Sequence, residues 1–450
     1  MNTPLSSILA TFLNRHYIPN SPPLLLALSG GPDSLALLHL LYAYQIQYPT
    51  FAFGVAHVDH GWRPESGEEA VELQKMAKAL GVPFHLKKLS PESMQGNLES
   101  ACRQLRLEFF SELCRSKNYQ AVLLAHHADD QSETVLKRLL EGASFPACSG
   151  ILPVTQWNDL IIWRPLLGVT KDQIELWLVE QNLVAFQDQT NLDPKFLRGR
   201  FRTRIIPLLA QEFGKDIRGN LYALGAEAQE IREFFLSHLT PILDQIVQGP
   251  LGIFLDLSDV DPMLSPAELK FLIREICQLE QVHLSKQQIQ LACDQLQIGG
   301  ANCQIASHPK SVFVDRKRLF ILRFHPDSDG KLPLQLSSFD WGAWHVSVTE
   351  SAFSKREVSD WKSVWKGHLQ CVLPKGNYQI GPASSQAPYR LASSLDKWWT
   401  KHKIPAFLRY LIPVIWSGEF VIHEYLTGEQ ISLSSIDLNE SCLVIQMHIK

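Results

Sequence analysis

A glycine-rich turn lies between an apolar run and a helical pattern near the start of the chain. Ser29-Gly30-Gly31-Pro32-Asp33-Ser34 follows apolar residues 24–28 and precedes the helix-like residues 35–41. A strand, a glycine turn and a helix N-terminus together expose backbone N–H groups that bind phosphate oxygens. Asp33 is expected to hold Mg²⁺ there, because a carboxylate beside phosphates is a typical Mg²⁺ ligand. No Gly-Lys-Thr/Ser follows, so the turn is not a Walker loop.

Apolar runs and amphipathic patterns alternate through the first 200 residues. Strands are predicted over residues 51–59, 82–86 and 121–125, and helices over 68–80 and 98–118. This alternation indicates an α/β fold with a doubly wound parallel sheet, whose ligands bind at the carboxyl ends of the strands. Ser29, His57 and His126 each follow a predicted strand and are expected to converge there.

Composition narrows the class of protein. The 450 residues are 45% hydrophobic and 20% charged, which predicts two or three globular domains. Neither a secretory signal nor an apolar run long enough to span a membrane is recognisable, so a cytoplasmic protein without membrane contact is expected. The eight cysteines include no Cys-x-x-Cys pair and are expected to be reduced thiols. With a net charge of −4, nucleic-acid binding would require local basic patches.

Several segments resemble known enzymes in the same order along the chain. Ser29–Ser34 resembles the PP-loop of the N-type ATP pyrophosphatases, which cleave ATP between its α and β phosphates. Six further motifs resemble one PP-loop branch, the tRNA(Ile)-lysidine synthetases: Ala56-His57-Val58-Asp59-His60-Gly61-Trp62-Arg63, Glu99-x-x-x-Arg103-x-x-Arg106, Ala125-His126-His127-Ala128-Asp129-Asp130-Gln131-Ser132-Glu133-Thr134, Trp163-Arg164-Pro165-Leu166-Leu167, Asp188-x-x-Asn191 and Arg198-x-Arg200-x-Arg202-x-Arg204-Ile205-Ile206-Pro207. The resemblance covers residues 20–210 strongly.

The resemblance implies a specific ligase reaction with ATP and Mg²⁺. ATP would adenylate the C2 carbonyl oxygen of cytidine 34 in the CAU anticodon of tRNA(Ile). The ε-amine of free L-lysine would then displace AMP, giving lysidine, AMP and pyrophosphate. A homodimer is a possible assembly.

Site residues follow from the motifs and the resemblance together. The catalytic set is Asp33, Asp130, Glu133 and Arg103. ATP is assigned to Ser29, Gly30, Gly31, Pro32, Asp33, Ser34 and His57. Lysine is assigned to Asp130 and Glu133, which at (i, i+3) share one helix face; a solvated helix N-terminus rich in acids is the alternative.

Arginines are assigned to tRNA. The tRNA-binding set is Arg106, Arg198, Arg200, Arg202 and Arg204. Lys195 brings the later cluster to five cations in ten residues, a density that suits phosphates. For Arg103 and Arg106 an ion pair with Glu99 is the alternative reading. A zinc site at His126, His127 and Asp130 is disfavoured, because adjacent residues after a strand point in opposite directions.

One loop departs from the family pattern. Residues 141–150 read Glu-Gly-Ala-Ser-Phe-Pro-Ala-Cys-Ser-Gly, where the family usually has an arginine and a glycine-rich turn. Glu141 replaces a cation, so a phosphate contact is not predicted there.

Three domains are predicted. Residues 1–215 form the PP-loop domain, 216–327 a mainly helical substrate-binding domain with a β-hairpin over 310–324, and 328–450 a small α+β domain. The hairpin tip, Asp315-Arg316-Lys317-Arg318, is either solvated or an RNA contact. A linker is predicted over 325–330. The last domain resembles the family's C-terminal tRNA-binding domain, and its seven tryptophans are expected mainly in a core, with RNA stacking as the alternative.

Two other functions compete with lysidine synthesis. Another PP-loop enzyme is one: a tRNA thiolase, or an amide ligase of the NAD or GMP synthetase type. The absence of paired cysteines and the Arg198–Arg204 run argue against these. The other is a noncatalytic RNA-binding protein with a degenerate PP-loop, which the intact Ser29–Ser34 turn disfavours.

Overall fold

The computed structural model describes residues 3–61, 66–89, 98–186, 197–260, 264–308, 310–323, 330–352, 360–429 and 441–450. The chain divides into two compact units, Met1–Phe234 and Phe235–Lys450. The division falls within one long helix, Ile217–Leu243. The predicted boundaries of three domains, after residues 215 and 327, remain a prediction. Asp188, Asn191, Lys195 and the predicted linker residues 325–329 lie outside the described residues.

The first unit alternates helices and strands, as the sequence predicts. Its helices are α1 (Pro4–His16), α2 (Pro32–Gln47), α3 (Ser66–Ala79), α4 (Leu98–Lys117), α5 (Ala128–Leu140), α6 (Lys171–Glu180), α7 (Leu197–Arg200), α8 (Ile206–Phe213) and the start of α9 (Ile217–Leu243). Its strands are β1 (Leu24–Ala27), β2 (Phe53–Asp59), β3 (Phe84–Lys88), β4 (Val122–Leu123), β5 (Val154–Trp157) and β6 (Leu160–Trp163).

These strands form one sheet in the order β3-β2-β1-β4-β6-β5, parallel except for the edge strand β5. Both faces of the sheet are covered. Leu24 and Leu26 pack into a core with α1, α2 and α6, while Leu25 between them packs into a second core with α4. Alternate residues of one strand therefore face two different layers of helices. The predicted doubly wound α/β fold is confirmed.

The second unit combines helices with antiparallel sheets. Its elements after α9 are β7 (Val247–Gly249), β8 (Gly252–Asp256), α10 (Pro266–Leu279), α11 (Lys286–Ile298), β9 (Cys303–Ala306), β10 (Ser311–Asp315), β11 (Arg318–Leu322), β12 (Leu332–Pro333), β13 (Ser338–Trp341), β14 (Trp344–Ala352), α12 (Trp361–Trp365), β15 (His368–Leu373), β16 (Gln379–Gly381), α13 (Leu395–Lys401), β17 (Val414–Ser417), β18 (Phe420–His423) and β19 (Ser441–Ile449). The sheets run β7-β8-β11-β10-β9, β12-β16-β17-β18 and β13-β14-β19-β15.

The expectation of a purely helical pattern over residues 216–296 is wrong between α9 and α10. Strands β7 and β8 form a hairpin there, and β8 pairs with β11. The run Ile253-Phe254-Leu255 is buried on both sides, and periodicity cannot separate such a run from a buried helix. Gly252 starts β8 with φ +134°, and a Cβ there would overlap the carbonyl oxygen of Ile321.

The predicted β10–β11 hairpin is confirmed, and its tip is not freely solvated. Arg316 and Lys317 both have positive φ, 49° and 65°, as a two-residue hairpin turn requires. The Arg316 guanidinium pairs with the fully buried Asp315, and Arg318 pairs with Asp256.

Tryptophans of the second unit form the core that the sequence predicts. Six of the seven named residues are buried: Trp341, Trp344, Trp365, Trp398, Trp399 and Trp416. Trp361 is half-buried beneath the guanidinium of Arg318. Among the described helices, none is long and apolar enough to cross a membrane.

Candidate active site

The glycine turn has a conformation that other residues adopt only with strain. Gly30 has φ +88°, and a Cβ at this position would lie 3.0 Å from the Phe186 ring and 3.3 Å from Leu73. The backbone N–H of Phe186 also donates to the carbonyl oxygen of Gly30. The turn is therefore packed against neighbouring segments, and its backbone is held in one shape.

Two serines brace the turn from within. The Ser34 hydroxyl accepts from the backbone N–H of Ser29 at 3.1 Å and donates to the carbonyl oxygen of Gly31 at 3.1 Å. Its oxygen is also 3.0 Å from the Ser29 hydroxyl. Gly31 caps helix α2 without a side chain, and Pro32 begins the helix. The first N–H groups of α2 consequently have no side-chain cap and can bind an anion.

Asp33 projects from the first turn of α2 and has an unused oxygen. Its Oδ2 lies 3.7 Å from Nε2 of His127, whereas its Oδ1 is buried without a hydrogen-bond partner. Burial raises the pKa of Asp33, because the ionised carboxylate is poorly solvated there. A carboxylate oxygen with no protein partner, next to a phosphate-binding turn, fits a Mg²⁺ ligand.

His57 lies within β2 and is buried. Its Nδ1 is 2.8 Å from the carbonyl oxygen of Leu28, which can only accept, so Nδ1 carries a hydrogen and donates it. The ring stacks beside Phe84. The residue is thus fixed in orientation at the end of β1, where the glycine turn begins.

The two carboxylates on α5 share one cation. Arg202 donates from Nη2 to Asp130 Oδ1 at 2.7 Å and from Nε to Glu133 Oε1. Asp130 Oδ2 also accepts from the backbone N–H of His127 at 3.1 Å. Glu133 Oε2 is buried and has no hydrogen-bond partner. The predicted (i, i+3) pair therefore exists, with one acceptor atom unused.

The environments of these carboxylates shift their pKa values in opposite directions. Burial raises the pKa of Glu133 more than Arg202 lowers it. Burial also acts on Asp130, but His127, through its ring and its backbone N–H, and Arg202 outweigh it and hold the pKa of Asp130 below its usual range. Asp130 is the residue held as the carboxylate, and Glu133 is the one better suited to accept a proton.

His126 and His127 point to different partners, as expected for adjacent residues after a strand. His127 lies between Asp33 and Asp130, with Nε2 3.5 Å from Asp130 Oδ2. His126 accepts at Nδ1 from Nε of the buried Arg164 at 3.1 Å. No group of three or more metal-ligating side chains is present in the described part of the chain.

The predicted arginines separate into two groups. Arg106 is close to Arg103 and Arg198, and burial together with these two cations lowers the pKa of Arg106. In the described residues no carboxylate lies within ion-pair distance of these three arginines. Arg200 and Arg204 are exposed and also lack such a partner there.

Helical spacing explains the separation. Arg198 and Arg202 are one helical turn apart, so both lie on the helix face towards Asp130 and Glu133. Arg200 and Arg204 lie between and after them in the sequence and are exposed on another face. Five residues between α7 and α8, Phe201–Ile205, form a π-helical turn that adjusts this register.

The sequence motifs predict neither the role of Arg164 nor the pairing of Arg202 with the carboxylates. Arg164 stands in a quoted motif, but its contact with His126 joins residues 38 positions apart. Arg202 was assigned to tRNA with its neighbours. A signal was present, since a four-residue step from Arg198 predicts a shared helix face.

Known proteins match this chain over most of its length. Residues 1–209 match the family model of the PP-loop domain. The chain is 40% identical over 438 residues to the tRNA(Ile)-lysidine synthase of Protochlamydia amoebophila, covering 96% of this chain and 94% of that protein. It is 34% identical over 301 residues to the tRNA(Ile)-lysidine synthase of Chlamydia trachomatis serovar A, covering 66% of this chain and 91% of that protein.

Similarity to solved structures is lower. The U34-tRNA thiolase NcsA from Methanococcus maripaludis aligns with a TM-score of 0.43 and 17% identity, covering 51% of this chain and 78% of that one. This level of similarity carries no argument about function.

Proposed function

Because the chain belongs to the tRNA(Ile)-lysidine synthase family, we propose that it joins free L-lysine to cytidine 34 of a tRNA(Ile) with a CAU anticodon. Family membership makes it an ATP-using ligase that forms a carbon–nitrogen bond and modifies tRNA. The observation that best supports the assigned residues is the grouping of Asp33, Asp130 and Glu133 beside the glycine turn, with two buried carboxylate oxygens unpartnered.

ATP is proposed to bind at the turn before α2. The N–H groups of Gly30, Gly31 and the first turn of α2 would hold its phosphates, with Ser29, Ser34 and Pro32 shaping the turn and His57 beside it. Asp33 would hold Mg²⁺ through its unpartnered Oδ1. When bound, Mg²⁺ would neutralise charge on the pyrophosphate leaving group.

Lysine is proposed to bind at Asp130 and Glu133. These two carboxylates carry two negative charges when ionised, and Arg202 supplies one positive charge. One negative charge remains, which an ammonium group would balance in a buried setting where unpaired charge is costly. The unused Glu133 Oε2 is an acceptor for that ammonium. Arg202 is therefore proposed to orient the carboxylates, and its earlier assignment to tRNA is not retained.

The chemistry has two displacements. The C2 carbonyl oxygen of cytidine 34 attacks the α-phosphorus of ATP, and pyrophosphate leaves. The ε-amine of lysine then attacks C2, the bond from C2 to the adenylated oxygen breaks, and AMP leaves with that oxygen. We assign the proton lost by the amine to Glu133, because its raised pKa makes it the better acceptor.

The unpaired arginines are proposed to contact nucleotide phosphates. Arg106 and Arg198 lie beside His126, and Arg103 lies beside Arg106 and Arg164. Arg103 is proposed to act on the reacting groups. Arg200 and Arg204 are exposed and would contact the tRNA backbone more peripherally.

The test is ligation by the purified full chain with Mg-ATP, labelled lysine and a tRNA(Ile) transcript. Lysine incorporation should require cytidine 34 and be absent with a C34U transcript. Asp33→Ala should lower pyrophosphate release at least about 100-fold, since it removes charge stabilisation at the phosphates. Asp159→Ala, at an exposed turn residue, is the matched control.

A different outcome would redirect the assignment. Pyrophosphate release without lysine incorporation would contradict the proposal and indicate another PP-loop ligase or a tRNA thiolase.

A further inference from the structure

Arg164 makes an unusual contact with the active-site histidine. The guanidinium is buried and uses Nη1 for the carbonyl oxygen of Leu152 at 2.8 Å and the Thr155 hydroxyl at 2.9 Å. Its Nε–H is directed at Nδ1 of His126, 3.1 Å away. Because Leu152 and Thr155 hold Nη1, the guanidinium has a fixed orientation.

This contact determines where the His126 proton lies. A guanidinium nitrogen in this position can only donate, so Nδ1 of His126 must present its lone pair. A neutral imidazole then carries its hydrogen on Nε2. A protonated imidazole would direct an N–H at the N–H of Arg164 and would add a positive charge next to an arginine.

Neighbouring charges act in the same direction. Burial and the cations Arg164, Arg198 and Arg106 disfavour the imidazolium, and together they outweigh the attraction of Asp130 and lower the pKa of His126 to about 3. Both oxygens of Asp130 already accept hydrogen bonds, from the His127 backbone and from Arg202. Nε2 of His126 has no hydrogen-bond partner among the described residues.

We propose that Arg164 is a positioning residue that holds His126 as the neutral Nε2–H tautomer, so that His126 donates a hydrogen bond to a substrate oxygen. The acceptor is an oxygen of the α-phosphate, or the oxygen that bridges it to C2, which gains negative charge as the bond to C2 breaks and AMP leaves. This inference rests on the proposed function. It also excludes His126 as the base that takes the amine proton, because its only lone pair faces Arg164.

The tautomer is tested directly by ¹⁵N NMR of histidine-labelled full chain at pH 7.5. The His126 signals are identified as those lost in His126→Gln. We expect a protonated Nε2 and an accepting, unprotonated Nδ1 in the wild type and in Arg164→Lys, which retains a cationic donor. Arg164→Met should release this preference and give a mixture of tautomers. A wild-type His126 protonated on Nδ1 would overturn the proposal.

Kinetics test the donor role. His126→Gln retains an N–H donor and should keep activity within about 10-fold, whereas His126→Ala should lose about 100-fold in kcat, as for a missing oxyanion donor. Equal loss in both variants would overturn the donor role. Circular dichroism checks that each variant is folded. Because the NMR result needs no ligation, failure of the proposed function, seen as absent lysine incorporation by wild type, is distinguishable from failure of this inference.

Discussion

Two glutamates are almost completely buried in different parts of the protein, and their surroundings differ. Glu424, in the second unit, accepts from the indole N–H of Trp399 at 2.7 Å, from the backbone N–H of Leu426 at 2.9 Å and from the Thr427 hydroxyl. Trp399 and Leu426 donate to Oε2, whereas the Thr427 hydroxyl and the indole N–H of Trp398 both face Oε1. Glu133, in the first unit, has one oxygen on Arg202 and the other unpartnered.

The difference separates a buried carboxylate whose hydrogen bonds the fold completes from one that the fold leaves with an unpartnered oxygen. Folding favours a hydrogen-bond partner for every buried polar atom, since each one without a partner costs about 1–3 kcal/mol of folding free energy. Glu424 meets that requirement with neutral donors from its own unit. Glu133 and Asp33 do not, and their unused oxygens lie on the two elements that meet beside the glycine turn. Buried oxygens without a hydrogen-bond partner are expected at sites where a bound ligand supplies the missing partner.

Glu133→Gln should have the largest effect on activity. Removing the proposed proton acceptor should lower lysidine formation about 100-fold or more, measured by labelled-lysine incorporation. Glu141→Gln, at the exposed end of the same helix, is the control and should be near wild type. Retention of more than a tenth of the activity would show that Glu133 is not the acceptor.

Glu133→Gln should not destabilise the fold, in contrast to the corresponding change at Glu424. A carboxyl whose pKa is raised by folding stabilises the folded state below its ordinary pKa, and this contribution is lost as pH rises through the raised value. At neutral pH the ionised Glu133 therefore costs folding free energy. Urea unfolding of Glu133→Gln at pH 7.5 should give an equal or higher midpoint.

Glu424→Gln should behave in the opposite way. The neutral amide would replace a carboxylate that accepts charge-assisted hydrogen bonds, and its N–H₂ group would face the indole N–H of Trp398 even in the orientation that keeps the amide oxygen on Trp399 and Leu426. The free energy of unfolding should fall by about 2–4 kcal/mol, measured by urea denaturation. Turnover per folded molecule should be unchanged, and Glu419→Gln, on an exposed turn, should show no loss. A stable but inactive Glu424→Gln would place Glu424 among the functional residues.

The sequence predicted those parts of the site that are local in the chain. The turn Ser29–Ser34 is specified by its own glycines and the elements beside it, and the Asp130–Glu133 pair follows from helix spacing alone. In each case a short segment and a regular period determine the geometry. His57 is expected to follow a strand, but it lies within β2 and contacts the residue after β1, Leu28, through its side chain.

The parts that were missed depend on contacts between distant segments. Arg202 contacts carboxylates 69 and 72 positions away in the chain. The four-residue step from Arg198 predicts a shared helix face, but it does not predict what that face contacts. Arg164 directly follows β6, the neighbour of β4 in the sheet, and contacts His126 there. The β7–β8 hairpin was missed because a short apolar run buried by its neighbours has no distinguishing period.

Two arginines differ in the same way as the two glutamates, and their substitution is expected to have the smallest effect on activity. Arg198 is exposed beside His126 and lacks an ion pair among the described residues, whereas Arg318 pairs with Asp256 and lies over the Trp361 ring. A cation held by protein groups is less available to a phosphate, so only Arg198 is expected to contribute to tRNA binding.

Arg198→Ala should raise the KM for tRNA about 5-fold, equivalent to about 1 kcal/mol, and should reduce the slope of log affinity against log salt concentration by about one. Arg318→Ala should leave that slope unchanged and instead lower the unfolding midpoint, because it removes an ion pair and a packed aromatic contact. Steady-state kinetics between about 50 and 200 mM salt distinguish the two. If Arg318→Ala changed the slope as much as Arg198→Ala, pairing within the protein would not preclude RNA contact, and the basic hairpin would join the tRNA-binding surface.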